Sequence, residues 1–244
     1  MTGWVSTAAL ADRDPQWKSN LKQALMQEPW SESLQIIVDK ILDDKSLTKD
    51  DGLLLFSEPN LFELGRLANL HKEAMYGRKA YFNSNVHVNQ TNICVLACRF
   101  CAFRRGPKAD DAYALSVDDY LEELSRFSPH VNEVHSVGGL HPDWTVEHYA
   151  ELFRRISAEY PHISIKALTA VEIKHLSQLS NLSIKETLLQ LQSAGLTSLP
   201  GGGAEILDDG VRAIICNGKE SSQEYLDIHR AAHEIGLPSN CTML

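Results

Sequence analysis

Short apolar segments alternate with amphipathic helical segments from residue 81 to residue 244, and this alternation restricts the fold more than any other feature. One helical segment begins at Ser116, with Asp119 three residues on, a capping box that marks a helix start. Strands are predicted over residues 86–89, 133–137, 162–168, 197–200 and 238–244. Because strands joined through helices pair in parallel by right-handed crossovers, the sequence predicts an α/β fold with a parallel sheet.

Residues 1–80 lack this alternation and are predicted to form a helical leader that precedes the sheet domain at residues 81–244. Apolar residues recur at spacings of three and four over residues 31–43 and 59–76, which is the period of an amphipathic helix. Residues 46–51 are typical of a turn followed by a helix start. With 43% hydrophobic residues, the chain can bury a sizeable core.

The composition is acidic, with 23 basic and 32 acidic side chains and a net charge of −9. Such a surface repels a phosphate backbone, so nucleic acid is not expected as a partner. No apolar run approaches the length of a membrane span, and residues 1–12 show no basic stretch followed by an apolar core. The sequence therefore predicts a cytoplasmic protein without a signal peptide or a membrane segment.

Unusual sequences follow the predicted strands, at the ends where enzymes built on parallel barrel sheets gather their chemistry. They are a loop with three cysteines and residues 138–142, 169–172 and 200–205. Because the carboxyl ends of parallel strands meet at one edge of a sheet, these four segments are predicted to form one active site.

The cysteine loop carries three thiols, with three and then two residues between them: Cys94, Cys98 and Cys101. Clustered thiols in a chain without a secretion signal indicate a metal site and not a disulfide framework. Three thiolates can each bind one iron of an iron–sulfur cube and leave the fourth iron open for a substrate. Two other interpretations stay open: a zinc site with His87 or a distant residue as a fourth ligand, and buried free thiols.

The pattern C-x-x-x-C-x-aromatic-C after a first strand resembles the signature of the radical S-adenosylmethionine (SAM) superfamily. The resemblance implies a [4Fe–4S] cluster on the three cysteines, with the amino and carboxylate groups of SAM bound to the open iron. It also implies an electron donor such as flavodoxin or ferredoxin, and cleavage of SAM into methionine and a 5′-deoxyadenosyl radical. The implied fold is a partial (βα)6 TIM-like barrel with an N-terminal helical segment. Because family barrels have six strands and continue beyond the position of Leu244, about five strands are expected, with the C-terminal part missing.

Four motifs resemble one branch of this superfamily: residues 89–94, 137–142, 166–173 and 199–206. The branch contains aminofutalosine synthases, cyclic dehypoxanthine futalosine synthases and the subunits that build the deazaflavin chromophore FO. The motifs are most similar to those of the aminofutalosine synthases. That resemblance implies addition of the adenosyl radical to the enol-ether double bond of 3-[(1-carboxyvinyl)oxy]benzoate, a small-molecule substrate, and loss of bicarbonate to give aminodeoxyfutalosine in menaquinone biosynthesis. The alternatives are a sister enzyme of the same branch and a zinc-stabilised scaffold without catalysis.

The same resemblance implies roles for residues that bind SAM. Gly138 and Gly139 match the family's Gly-Gly-Glu motif, whose backbone receives the SAM amino group, although Leu140 replaces the Glu. A Gly-Gly pair after a strand is equally typical of a turn. Glu172 is predicted to end the third strand and to bind polar groups of SAM, or else to be an acid favoured at a helix N-terminus.

Substrate-binding residues are predicted from the charge of the implied substrate and from backbone freedom. Two carboxylates need cationic partners, and His141 and Arg212 are the candidates, an ordinary surface arginine being the other interpretation of Arg212. Gly202 lies in a glycine-rich loop that lets the backbone approach a ligand closely. The remaining cysteines, Cys216 and Cys241, are expected to be plain buried thiols.

Overall fold

The computed structural model describes residues 12–244, which belong to two compact units. One unit spans Asn83–Leu244, and the other contains residues 12–82. The division between residues 82 and 83 lies near the boundary predicted at residue 80. Each unit has its own hydrophobic core.

The N-terminal unit is helical throughout its regular structure. Within residues 12–82 the helices are α1 (Trp17–Met26), α2 (Glu32–Leu42), α3 (Lys49–Phe56) and α4 (Leu61–Tyr76). Their buried apolar side chains form a small core of Leu21, Leu25, Leu34, Ile37, Val38 and Leu67. The helices predicted over residues 31–43 and 59–76 are confirmed as α2 and α4.

The second unit is built on a parallel sheet whose strands follow the chain order β1-β2-β3-β4. The strands are β1 (Asn85–His87), β2 (Glu133–Ser136), β3 (Ser164–Ala167) and β4 (Leu196–Ser198). The helices of residues 83–244 are α5 (Val117–Ser125), α6 (Val146–Glu159), α7 (Ala170–Ser180), α8 (Ile184–Ala194), α9 (Asp209–Ile215) and α10 (Ser222–Glu234). The predicted α/β fold with a parallel sheet is therefore confirmed.

The helices pack on one face of this sheet. Val86, Val134 and Ile165 lie side by side in neighbouring strands and contact the helical core. Because side chains alternate along a strand, the next row points the other way. That row is His87, His135 and Lys166, and the side that carries it is named the open face of the sheet.

Helix α7 is absent from the sequence-based prediction. It begins with a capping box between Thr169 and Glu172 and ends at Asn181, whose φ of 52° is left-handed. Helix α8 follows at once and starts with the predicted box of Ser183 and Glu186. The prediction that Glu172 ends the third strand is therefore wrong, because this residue lies in the first turn of a helix.

The predicted fifth strand, residues 238–244, does not form a regular strand. The N–H of Asn240 donates to Leu199 O at 3.2 Å, and the N–H of Leu244 donates to Glu205 O at 2.9 Å. This parallel pairing yields only isolated bridges. The reason lies in the partner segment, where Gly203 and Glu205 have φ values of 105° and 49°, outside the strand region. Within the described residues, the sheet therefore has four regular strands and not five.

No helix between residues 12 and 244 combines the length and apolar character that crossing a bilayer requires. The prediction about a signal peptide concerns residues 1–12, nearly all of which lie outside the described residues. The cytoplasmic location stays a prediction.

Candidate active site

The loop that follows β1 carries Cys94, Cys98 and Cys101. All three are free thiols and partly exposed. Backbone hydrogen bonds hold the loop: the N–H of Cys94 donates to Arg105 O at 3.1 Å, and the N–H of Cys101 donates to Cys98 O at 3.1 Å. Burial raises the pKa of the Cys98 thiol, while the nearby Lys219 ammonium opposes that shift. The thiols are therefore accessible to a ligand and are carried by one defined loop.

Two buried polar residues before the first cysteine position this loop. Thr91 Oγ1 donates to Tyr113 O at 2.6 Å and accepts the N–H of Ile93 at 3.0 Å. The side-chain amide of Asn92 donates to Asp111 O at 2.9 Å, and its Oδ1 accepts the N–H of Tyr113 at 2.8 Å. The sequence analysis included these two residues only within the motif at residues 89–94 and predicted no separate role for them. Their role is to fix the backbone that leads into the cysteines.

Gly139 lies directly against the cysteine loop. A Cβ at this position would stand 2.1 Å from Ile93 O, far inside van der Waals contact. The N–H of Gly139 donates to Thr91 O at 2.8 Å, and the N–H of Gly138 donates to Glu172 at 2.9 Å. Among the described residues, no group donates a hydrogen bond to the carbonyl of either glycine. The carbonyl oxygens of the pair are therefore left without a protein donor from the described part of the chain.

Glu172 is buried, and protein donors surround its carboxylate. Oε2 accepts both the N–H and the hydroxyl of Thr169, at 2.7 and 2.6 Å. Oε1 accepts the N–H of Gly138 at 2.9 Å and Nε2 of Gln90 at 3.3 Å. Burial raises the pKa of Glu172, and the hydrogen bonds from Thr169 oppose the shift. The geometry favours the helix-start interpretation over a direct contact with SAM, and it gives Glu172 the task of holding Gly138 in place.

Arg212 is only 4% exposed, so the expectation of a surface arginine is wrong. Its guanidinium donates to the carbonyls of Gly203, Ala204 and Ile206 at 3.1, 2.6 and 3.2 Å. It also donates to Glu220 O at 2.6 Å. Since these donors are consumed by the glycine-rich loop, the predicted role at a substrate carboxylate is corrected: Arg212 is a clamp inside the protein.

Gly202 lies beside Thr169, where a Cβ would stand 3.1 Å from the threonine methyl group. Its neighbour Gly201 is tighter, because a Cβ there would stand 2.6 Å from the Cα of Cys241. The glycine loop thus admits another stretch of backbone, and a contact of Gly202 with substrate stays a prediction. Cys241 is exposed, so the expectation of a buried thiol is wrong for it, whereas Cys216 is buried.

His141 belongs to a stack of aromatic rings. Its ring lies 4.4 Å from that of Trp144, which in turn lies 4.0 Å from that of His148. Nδ1 of His141 accepts the N–H of Asp143 at 3.2 Å, so this nitrogen carries no proton in that bond. Burial lowers the pKa of His141, which favours a neutral ring. The surroundings therefore disfavour His141 as a cationic partner, and its contact with substrate stays a prediction.

The open face of the sheet carries basic groups that the sequence analysis did not assign to substrate. The rings of His87 and His135 stack with their centroids 4.4 Å apart, and Lys166 is the next residue of the same row. Burial lowers the pKa of His135 to about 4, and the charges of His87 and Lys166 add to the shift. One feature of the sequence could have indicated this row. Strands of a parallel sheet are usually apolar, so polar residues within them are unusual.

The zinc interpretation of the cysteines required a fourth ligand such as His87. In the structure this ring stacks on His135. Among residues 12–244, no three side chains of His, Cys, Asp or Glu are grouped closely enough to hold one metal ion.

Comparison with known proteins gives consistent matches. The sequence profile described as the radical SAM superfamily matches residues 88–244. The chain is 41% identical over 209 residues to the aminodeoxyfutalosine synthase of Thermus thermophilus, covering 85% of this chain and 56% of that protein. It is 35% identical over 211 residues to the 5-amino-6-(D-ribitylamino)uracil–L-tyrosine 4-hydroxyphenyl transferase of Methanothermobacter thermautotrophicus. This match covers 85% of this chain and 57% of that protein. It is 33% identical over 216 residues to the cyclic dehypoxanthine futalosine synthase of Streptomyces coelicolor. This match covers 86% of this chain and 54% of that protein.

Among solved structures, HydG, a maturase of the [FeFe]-hydrogenase, matches with a TM-score of 0.65. The match covers 95% of this chain and 50% of that one at 15% sequence identity, so it concerns the fold alone. The chain spans about half the length of the curated relatives it matches.

Proposed function

Because this chain belongs to the radical SAM superfamily, we propose that it takes part in the aminodeoxyfutalosine synthase reaction of menaquinone biosynthesis. The observation that carries the proposal is the set of three partly exposed thiols on one loop packed against Gly139. The choice within the superfamily is supported by 41% identity over 209 residues to an aminodeoxyfutalosine synthase, against 39% over 198 residues to one of the tyrosine 4-hydroxyphenyl transferases and 33% over 216 residues to a cyclic dehypoxanthine futalosine synthase. The proposed substrate is 3-[(1-carboxyvinyl)oxy]benzoate.

The site fits the cofactors that the superfamily uses, a [4Fe–4S] cluster and SAM. Cys94, Cys98 and Cys101 would hold the cluster, which would supply the electron for cleavage of SAM into methionine and a 5′-deoxyadenosyl radical, and this radical would add to the substrate double bond. Thr91 and Asn92 hold the backbone that leads into the cysteine loop. The carbonyl oxygens of Gly138 and Gly139 are the acceptors proposed for the SAM amino group, and Glu172 fixes the first of them.

The open face supplies a cationic partner for one of the two substrate carboxylates. Lys166 provides an ammonium group there, and the His87–His135 pair provides two hydrogen-bonding rings. In this proposal the substrate lies along the row with a carboxylate at Lys166, while its double bond faces the cysteine loop. A lysine ammonium beside a carboxylate forms a strong charge-assisted hydrogen bond. Lys166 thus takes the place that Arg212 was predicted to fill.

The test is an anaerobic incubation of the reconstituted protein with SAM, dithionite and 3-[(1-carboxyvinyl)oxy]benzoate, followed by mass spectrometry. Aminodeoxyfutalosine in amounts that follow enzyme concentration would support the proposal. The matched control is the same incubation with the Cys98→Ala variant, which is expected to yield no product. A well-loaded cluster that cleaves SAM without forming aminodeoxyfutalosine would contradict the assigned substrate.

Two alternatives are separated by the same preparation. Dehypoxanthine futalosine, or tyrosine with 5-amino-6-(D-ribitylamino)uracil, is offered in place of the benzoate, since two relatives act on substrates of these kinds by their names. Product from either would assign a sister reaction. Metal analysis addresses the non-catalytic scaffold: iron with equimolar sulfide supports the cluster, whereas stoichiometric zinc without sulfide supports the scaffold.

A further inference from the structure

A short segment that begins at the last residue of α9 and leads toward α10, residues 215–220, lies against the cysteine loop. The N–H of Arg99 donates to Ile215 O at 2.8 Å, which joins the two backbones. Gly218 has a φ of 88°, and a Cβ on it would stand 3.0 Å from a methyl group of Leu96. The segment therefore follows the cysteine loop closely at both of these points, and Gly218 is the residue type that this proximity requires.

Lys219 brings a charge to this contact. Its Nζ lies 5.6 Å from the centre of the Phe100 ring, within the range of a cation–π interaction. Phe100 stands between the second and third cysteines in the sequence. The same Nζ forms an ion pair with Glu205 Oε1 at 2.7 Å, and the two side chains are only 10% and 15% exposed. Water screens such a pair weakly, so its charges act on their surroundings.

The pair is also held in place. Glu205 belongs to the glycine-rich loop, and Arg212 ties that loop to the 215–220 segment by donating to both Ala204 O and Glu220 O, each at 2.6 Å. Lys219 directly precedes Glu220, so its backbone is anchored by this clamp. The ammonium and the carboxylate consequently keep fixed positions beside the cysteine loop, with the ammonium over Phe100.

We propose that Lys219 and Glu205 set the reduction potential of the cluster bound by the cysteine loop, with opposite signs. The inference rests on the proposed function in requiring a cluster on the three thiols. On reduction, an external one-electron donor gives one electron to the oxidised cluster, whose charge becomes one unit more negative, and no bond forms or breaks. A nearby positive charge favours the reduced form and a negative charge opposes it, because net charge and exposure govern these potentials. Both residues are positioning residues for electron uptake and not reacting groups.

The experiment is a redox titration of the reconstituted protein without SAM, followed by electron paramagnetic resonance of the reduced cluster. In Lys219→Met the ratio of reduced to oxidised cluster at a fixed potential is expected to fall about tenfold, a downward shift of about 59 mV for a one-electron couple. In Glu205→Gln the potential is expected to rise. Lys219→Arg, which keeps the charge, is expected to stay close to the parent protein. Lys185→Met removes an exposed lysine from α8 and controls for net charge.

The opposite signs separate an electrostatic role from a structural one. If the ion pair only supported the loop, Lys219→Met and Glu205→Gln would disturb the cluster in the same direction. Equal potentials in Lys219→Met, Glu205→Gln and the parent, each with full iron and sulfide, would overturn the inference and leave the proposed function intact. If Lys219→Met assembles no cluster, the potentials of Glu205→Gln and Lys219→Arg still test the inference, since the first is expected to rise and the second to stay close to that of the parent protein. A parent protein that binds no cluster would overturn both proposals.

Discussion

Gly139 is the residue at which the end of the second strand meets the cysteine loop. The missing side chain lets the carbonyl of Ile93 approach, and the N–H of Gly139 ties the contact to Thr91. This contact gives the Gly-Gly motif a meaning that neither sequence-based interpretation contained. The second glycine shapes the cluster loop, and only the carbonyls of the pair remain for a ligand.

Gly139→Ala is therefore expected to lose most of the bound iron after reconstitution. A Cβ 2.1 Å from Ile93 O cannot be accommodated unless the cysteine loop moves. Gly106→Ala is the control, since a Cβ at Gly106 has no heavy atom within 4 Å. Iron and sulfide analysis with the visible absorption spectrum gives the readout. Full cluster loading in Gly139→Ala would show that the loop does not depend on this contact.

Glu172→Gln is expected to lower the free energy of unfolding by about 1–3 kcal/mol, the effect of leaving a buried hydrogen-bonding group unpaired. The carboxylate accepts the N–H groups of Thr169 and Gly138. A glutamine places its own NH2 donor against one of these donors, which then has no acceptor. Glu186→Gln makes the same change in the exposed capping box of α8 and is expected to have a much smaller effect. Chemical denaturation of both variants measures the difference, and equal losses would argue against a special role for the buried carboxylate.

Cys98→Ala is expected to abolish cluster assembly and SAM cleavage, because the loop then offers two thiolates for a cube that needs three. Cys241→Ala is the control, as this exposed cysteine lies outside the loop. Iron content and 5′-deoxyadenosine formation are measured for both proteins. Stoichiometric iron in Cys98→Ala together with 5′-deoxyadenosine would show that the ligands have been assigned wrongly.

At the scale of elements, the features that could be predicted from the sequence are those that a short stretch of residues specifies by itself. The capping box at Ser183 marks the start of α8, and the spacing of the cysteines needs no knowledge of the fold. Helix α7 was missed because its box at Thr169 follows a strand directly and was interpreted as part of a ligand site. The positive φ of Glu205, in the segment that residues 238–244 pair with, leaves no mark in the sequence, because a residue with a side chain rarely adopts it.

The partners of the site depend on contacts between distant parts of the chain, which no local pattern specifies. Arg212 has the charge that a substrate carboxylate would need, but its donors are taken by carbonyls of a loop that the sequence could not place around it. Lys166 looks like one polar residue in a strand. Only the register of β3 against β2 sets it beside His135.

The row on the open face leads to a prediction about pH. Burial holds the pKa of His135 at about 4, down from 6.5, so the folded protein leaves this ring neutral where the unfolded chain would protonate it. This histidine should therefore lower stability as pH falls from 6.5 toward 4. A carboxylate bound beside the ring favours its protonated form, so affinity for 3-[(1-carboxyvinyl)oxy]benzoate should rise over the same interval.

Calorimetric titration at several pH values measures this affinity. His135→Asn is expected to flatten the pH dependence, while Lys166→Met is expected to weaken binding about tenfold at every pH, or ~1.4 kcal/mol. His130→Asn is the control, since His130 is exposed and precedes β2, outside the row. An unchanged pH profile in His135→Asn would remove this residue from the substrate site.

At the scale of the whole molecule, a net charge of −9 surrounds a site proposed to bind a dianion. The summed field repels such a substrate at long range, so the attraction has to come from a short-range group of basic residues. The row of His87, His135 and Lys166 has this character, because it lies on one face of the sheet where three strands run side by side. Added salt should then weaken long-range repulsion more than it weakens the local contact.

The hydrogen bonds around Thr91 and Asn92 have a consequence for the order in which the holoprotein matures. They join the backbone that leads into the cysteine loop to Tyr113 and Asp111 through protein groups. Much of the conformational entropy of the loop is thus lost during folding and not during metallation. The apoprotein should accordingly behave as a preorganised receptor, in which cluster insertion follows folding and leaves the amide-exchange protection of residues 91–93 largely unchanged.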